Sequence, residues 1–363
     1  MKIHLAALAA VCLLGCAETV TAYTDTSLEA GFDTVFSYTE YTGSRDPFTA
    51  HFESSVTAAK RLSGLFDIYG EDTAPDGLKA VNEAAGKQPV RTDAEVLELL
   101  KDARELYDLT DGAFDITAGA VTRLWHEYRE EGIRENSEGR PGKVPSEEEI
   151  TEALQHRGWD HVQIDEEQMT VYIDDPDMSL DAGGIAKGYA AEKLAVLLQK
   201  AGVKTAMVNA GRNIRSIGTK PSDAPWVIAV ASPAADGSEA ARIRLPGSCS
   251  FVTSGDYERF YTDAEGTRYS HITDMKTGMP ACLYHSVTIV TENSAYADGL
   301  STALFTVSIE EGKAILAEYE KRTGQSAGAV WIVDKDAYTG EGTVSGAYRI
   351  IATEDLASAL EIR

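Results

Sequence analysis

The run DAGGIAKGYAAEKLAVLLQKAG, Asp181 to Gly202, constrains the fold more than any other part of the chain. A carboxylate is followed by paired glycines, a lysine and a long amphipathic pattern that predicts a helix. Gly183 and Gly184 let the backbone approach a ligand closely. A helix start offers unpaired N–H groups and the positive end of a dipole, both suited to a phosphate. Lys187 adds a point charge at the same place. The run therefore reads as a phosphate cradle with its own cation and a nearby acid. It matches neither G-x-x-x-x-G-K-[ST] nor G-x-G-x-x-G. Taken alone, it is equally a strand-to-helix turn whose glycines fit the turn and whose lysine is solvated.

Charge makes the cradle more pointed. Asp+Glu number 58 against 33 Lys+Arg, for a formal net charge of −25. Such a surface repels nucleic acid and anionic headgroups, and it repels a phosphate ligand too. A nucleotide site here needs local positive charge or a metal. The body is about 335 residues, enough for one large two-lobed domain.

The first residues, MKIHLAALAAVCLLGC, combine Lys2 with an apolar stretch from Ile3 to Leu14 that is too short to span a bilayer. Leu13-Leu14-Gly15-Cys16 resembles a bacterial lipobox. The expectation is a signal peptide over 1–15, acylation of Cys16, and a Thr-rich, unpatterned tether over 16–30 ahead of a folded domain over 31–363. The protein would then sit in a bacterial cell envelope, held to a membrane by lipid alone, facing the periplasm or the exterior. In the body only Cys249 and Cys282 remain, and spacing does not decide whether they pair.

Helical periods predict helices over 49–67, 92–109, 147–157, 294–307 and 309–322. Thr92 with Glu95 reads as a capping box, and 147–157 follows a Pro-Ser start. Alternation predicts strands over 161–173, 205–218, 226–231, 241–245, 267–273, 285–291, 328–333 and 348–352. The polar segment 129–146 reads as a surface excursion. Mixed elements without strict alternation favour α+β with mixed or antiparallel sheets flanked by helices.

Three further islands carry chemistry. DGAFDIT (Asp111 to Thr117) sets a carboxylate and a glycine around an aromatic, which is equally a helix stop over a packed Phe114. In RYSHITDMKTGMPA, His271 sits on an alternating run, where a lone histidine is more often structural. In ADGLSTALF, Asp298 and Thr302 are one helical turn apart, a reasonable pair of hard oxygen ligands for Mg²⁺. The competing reading of Asp298 is a helix N-cap.

DGAFDIT, DAGGIAKGYA, VNAGRNI, TSGDYERF, HITDMKTGMPA and ADGLSTALF occur in the order of one family. The chain resembles the bacterial FAD:protein FMN transferases from about Gly31 onward. That resemblance implies a Mg²⁺-dependent enzyme, with Mn²⁺ as a possible substitute and FAD as substrate. It implies FAD contacts at Ala113, Phe114, Asp115, Asp181, Lys187 and Ile272, with Tyr69 covering the flavin nucleotide. It implies metal ligands at Gly184 (backbone), Asp298, Ser301 (backbone) and Thr302. Phe32 falls at a cofactor-contact position, although Phe32-Asp33-Thr34 replaces the usual Met-Gly-Thr. Arg212-Asn213 replaces the usual Gly-Asp, and Arg212 could pair with a phosphate.

The implied reaction is phosphoryl transfer. A Thr or Ser hydroxyl of an exported or membrane acceptor protein attacks the FMN-side phosphorus of FAD, and AMP leaves. Lys187 and the metal neutralise charge. His271, with an ordinary pKa near neutrality, accepts the hydroxyl proton. The rival readings are a Mg²⁺-dependent FAD pyrophosphatase and a non-catalytic FAD-binding lipoprotein.

Overall fold

The computed structural model describes residues 20–363 except 235 and 258. The expected signal peptide and Cys16 lie outside the described residues. No helix among the described residues is long and apolar enough to cross a membrane.

A nine-stranded sheet organises the molecule, with every neighbouring pair antiparallel. Its spatial order is Thr21–Ser27, Phe36–Thr42, Ala206–Ala210, Asn213–Ile217, Ser250–Gly255, Ser286–Thr291, Gly328–Asp334, Tyr348–Ala352 and Thr343–Ser345. The helices are α1 (Arg45–Phe66), α2 (Leu78–Glu83), α3 (Ala94–Leu109), α4 (Gly119–Ser137), α5 (Glu147–Ala153), α6 (Ala186–Lys200), α7 (Ser294–Leu304), α8 (Ile309–Thr323) and α9 (Glu354–Ala357). The α+β expectation holds.

The central strands are covered on both faces. In Gly328–Asp334, Ala329, Trp331 and Val333 enter the main core with α3, α6 and α7. Val330 and Ile332 point the other way, into a cluster with Ile228 and Ile243. The second cluster is closed by the three-stranded sheet of Leu360–Ile362, Glu239–Leu245 and Trp226–Ala231. A strand buried on both sides shows a continuous apolar run, as WIV does here.

Several expectations need correction. Residues 21–27 of the expected tether form the edge strand, in register from Thr21↔Thr42 to Ser27↔Phe36. Its threonines suit a strand because β-branched side chains pack across a pleat; Thr24 Oγ1 lies 2.9 Å from Thr39 Oγ1. The run 161–173 is a hairpin of Val162–Asp165 and Thr170–Ile173, turned by the polar residues between. The run 205–218 is also a hairpin, turning at Gly211 and Arg212 with φ of 59° and 68°. Two successive positive φ values match the twist of a tight hairpin.

The excursion predicted over 129–146 is helical as far as Ser137, because α4 buries one side. A Cβ on Gly132 would come within 2.4 Å of the Tyr261 ring, so the glycine permits close packing there. The cap of α3 is Asp93, whose Oδ1 accepts the Glu95 N–H at 2.9 Å, and not Thr92. The Pro-Ser start does open a helix, with Ser146 and Glu149 forming a capping box, but α5 ends at Ala153. His271 is not within a strand: it lies between Arg268–Ser270 and Thr273–Asp274.

Candidate active site

The cradle and α7 meet at backbone distance. A Cβ on Gly188 would fall 2.2 Å from the Ser294 carbonyl oxygen and 2.5 Å from Asp298 Cβ. A Cβ on Gly184 would fall 3.1 Å from Phe114 and 3.2 Å from Thr302 Oγ1. Glycine at both places lets α6 and its leading turn lie directly against α7.

Asn293 caps α7 through its side chain, accepting the Ala295 N–H at 2.9 Å. Asp298 is therefore not a cap: it sits inside the helix and is 4 % exposed. Its Oδ2 accepts the N–H of Gly188 at 2.8 Å. Burial pushes this carboxyl up to about 6, against the opposing pull of Lys187 and the Gly188 N–H. One turn on, Thr302 Oγ1 lies 3.5 Å from the Gly184 carbonyl oxygen. The Ser301 hydroxyl is occupied, donating to the Asp298 carbonyl at 2.9 Å and lying 2.8 Å from Ser254 Oγ. Its backbone oxygen lies in the last turn of α7, where the helix leaves carbonyls open. A buried carboxylate, a hydroxyl and a backbone carbonyl form a hard-oxygen set that fits Mg²⁺.

The phosphate-cradle reading changes in one respect. Among the first-turn amides of α6, that of Ala186 goes to the Ala182 carbonyl and that of Gly188 to Asp298. These donors are spent within the protein. Lys187 supplies the positive charge, its Nζ donating to the Gly183 carbonyl at 3.2 Å.

Asp181 anchors the other end. Gly183 N–H donates to its Oδ1 at 2.8 Å. Its Oδ2 receives Thr122 Oγ1 at 2.8 Å and the Tyr69 hydroxyl at 3.1 Å. Burial raises the Tyr69 phenol, and the Asp181 charge adds to the rise. Ala113, Phe114 and Ile272 are buried in the main core. Asp115 holds the turn into α4, with Oδ1 accepting the Thr117 N–H at 2.9 Å and hydroxyl at 2.6 Å; burial raises its pKa.

His271 does not titrate near neutrality as expected. Burial, then the charges of Lys187, Arg129 and Arg259, push the imidazole down to about 3. Its Nδ1 is buried with no hydrogen-bond partner among the described residues. The ring is thus a neutral base with a spare lone pair.

Two expected positions stand apart. Phe32 packs against the edge of the main core, its N–H donating to Ser63 Oγ at 2.8 Å. Arg212 lies over the Tyr257 ring at 5.3 Å and donates to its hydroxyl at 3.2 Å. Cys249 and Cys282 are both free thiols. Sequence reasoning missed the part played by α4, which brings Thr122, His126 and Arg129 to the cradle. The apolar residues Val121 and Trp125, one helical turn apart, were the available signal.

The model of the ApbE family matches residues 32–325. The FAD:protein FMN transferase of Vibrio cholerae is 34 % identical over 257 residues, covering 70 % of this chain and 73 % of that protein. That of Treponema pallidum is 33 % identical over 305 residues, covering 77 % and 80 %. Among solved structures, the ApbE protein of Thermotoga maritima superposes with a TM-score of 0.72 at 33 % identity, covering 86 % of this chain and 94 % of that one. The flavin transferase ApbE of Vibrio cholerae gives 0.72 at 25 % identity, covering 94 % and 99 %. With most of its length matched in sequence and in fold, the chain belongs to the ApbE family, a family of enzymes.

Proposed function

We propose that the protein transfers FMN from FAD to a Thr or Ser hydroxyl of an acceptor protein, forming a phosphoester and releasing AMP. The observation that carries this reading is the buried Asp298 carboxylate, set beside the Thr302 hydroxyl and the Gly184 carbonyl in an acidic protein. The names of the related proteins support the flavin chemistry.

Asp298, Thr302 and the carbonyls of Gly184 and Ser301 would hold Mg²⁺, or Mn²⁺ with the same oxygen donors, and the ion would neutralise diphosphate charge. Lys187 adds a positive charge beside the cradle. Ala113, Phe114 and Ile272 supply an apolar wall, and Tyr69 an aromatic face, for the flavin nucleotide. His271, neutral and with Nδ1 unpartnered among the described residues, receives the proton of the attacking hydroxyl. Proton removal at that nitrogen leaves an oxygen nucleophile for the FMN-side phosphorus, and the P–O bond to AMP breaks.

The acceptor is an exported or membrane protein, met at the cell envelope by an enzyme lipidated on Cys16. The test is incubation with FAD, Mg²⁺ and a candidate acceptor, followed by a search for a fluorescent protein band and for AMP. Both together support the transferase. AMP alone would instead make the protein a hydrolase, and neither product a binding protein.

A further inference from the structure

One side of α4 faces the cradle. Thr122, His126 and Arg129 lie at i, i+4 and i+7, a single helical stripe. Thr122 bonds Asp181 at 2.8 Å. The His126 ring stacks on Tyr69, with centroids 4.1 Å apart and planes at 19°. Tyr69 itself bonds Asp181. Trp125, between them in sequence, fixes the helix by donating from Nε1 to the Gly278 carbonyl at 2.6 Å. That carbonyl belongs to the hairpin turn between Thr273–Asp274 and Met279–Pro280.

Arg129 ends the stripe, and its partners do not account for it. It is only 8 % exposed. Arginine has donors alone, so its Nη2 contact of 2.8 Å makes His126 Nδ1 the acceptor. Among the described residues, the one carboxylate paired with it is Glu130 at 3.7 Å, a solvated neighbour in sequence. Nε is buried with no partner among the described residues. A buried guanidinium lacking a close carboxylate is costly unless something anionic completes it. Its charge reaches the site, since it helps hold His271 neutral.

We propose that Arg129 is a substrate-binding residue whose guanidinium donates a hydrogen bond to an oxygen of the FAD diphosphate. This inference rests on the reading of the site as an FAD site. The stacked pair of Tyr69 and His126 then sets the height of the guanidinium above the cradle, and Lys187 meets the same diphosphate from α6. A planar donor with five N–H groups suits that task where a point charge does not.

The test compares dissociation constants of FAD, ADP and riboflavin for wild type, Arg129→Gln and Arg129→Lys, with Mg²⁺ present. Losing a charged hydrogen bond predicts weakening of FAD and ADP by about 10- to 100-fold in Arg129→Gln. Arg129→Lys should recover part of the loss. Riboflavin, which has no phosphate, should bind all three alike. Unchanged FAD and ADP binding, or equal loss for riboflavin, would overturn the proposal. If the variants do not fold, a crystal structure of wild type with ADP decides: a phosphate oxygen within hydrogen-bond distance of Arg129 supports it, and phosphates ordered elsewhere refute it. Failure of wild type to bind FAD would sink the functional reading instead, while ADP would still report on Arg129.

Discussion

Asp298 and Gly188, 110 positions apart, are joined by a 2.8 Å hydrogen bond from the Gly188 N–H to the Asp298 carboxylate. The bond ties the first turn of α6 to the middle of α7. It makes one unit of two motifs that are far apart in sequence.

Gly188→Ala should disrupt that unit. The added methyl would meet the Ser294 carbonyl and Asp298 Cβ at 2.2 and 2.5 Å. Neither is the end of a flexible chain, so the helices must move apart. A loss of about 1–3 kcal/mol in denaturant unfolding is expected, with FMN transfer lowered as well. Wild-type stability and activity in this variant would show that the contact is looser than described.

Asp298→Asn should act in a pH-dependent way on metal-free protein. The folded carboxyl, near 6, lies above its unfolded value of 3.8. The folded state therefore binds the extra proton, and the associated stability is present at low pH and lost as pH rises through about 6. Relative to wild type, the variant should gain about 2–3 kcal/mol at pH 8 and little at pH 4. Mg²⁺ should raise the melting temperature of wild type and not of the variant. An equal Mg²⁺ shift in both would place the ion elsewhere.

His271→Gln should keep FAD affinity and lose transfer. Removal of a positioned base costs about 10²- to 10⁴-fold in rate. Equilibrium binding of FAD and single-turnover FMN transfer separate the two effects. Full transfer by the variant would assign the proton to another acceptor.

Asp102 on α3 offers a check away from the site. Burial, then the charges of Glu98 and Glu105, raise it to about 7, against Lys193. Being raised above its unfolded value, it favours the folded state at low pH and loses that contribution as pH climbs through 7. Asp102→Asn should stabilise by about 1 kcal/mol at pH 8.5, after allowance for partial solvent screening. The gain should vanish near pH 4 in thermal melts. A constant difference across pH would mean that Asp102 titrates normally.

Much of the local structure was legible because its causes are local. The Pro-Ser start before 147 opens a helix in the fold, where Ser146 and Glu149 form a capping box. Apolar spacing located α1, α3, α7 and α8 to within a few residues. Order and wording of the six islands pointed to the family, and with it Asp298, Thr302 and Gly184. Errors arose where pairing or burial is decided at a distance. Thr21–Ser27 is a strand because Phe36–Thr42 lies beside it, and edge pairing leaves only a Thr-rich trace in sequence. Hairpin turns at 166–169 and 211–212 hid inside runs that alternate on both sides.

By itself the sequence determined the apolar helix faces, the Pro-Ser helix start before 147, and the placing of Asp298 and Thr302 one turn apart on a helix. Tertiary structure alone decided which amides of the cradle were already spent, that Asp298 lies inside α7 instead of capping it, and that His271 is neutral. It also decided that α4 turns Arg129 inward, where its Nε has no partner among the described residues. Hydrogen-bond completion and proton affinity depend on which groups share a dry space, and chain order does not specify that until the helices pack.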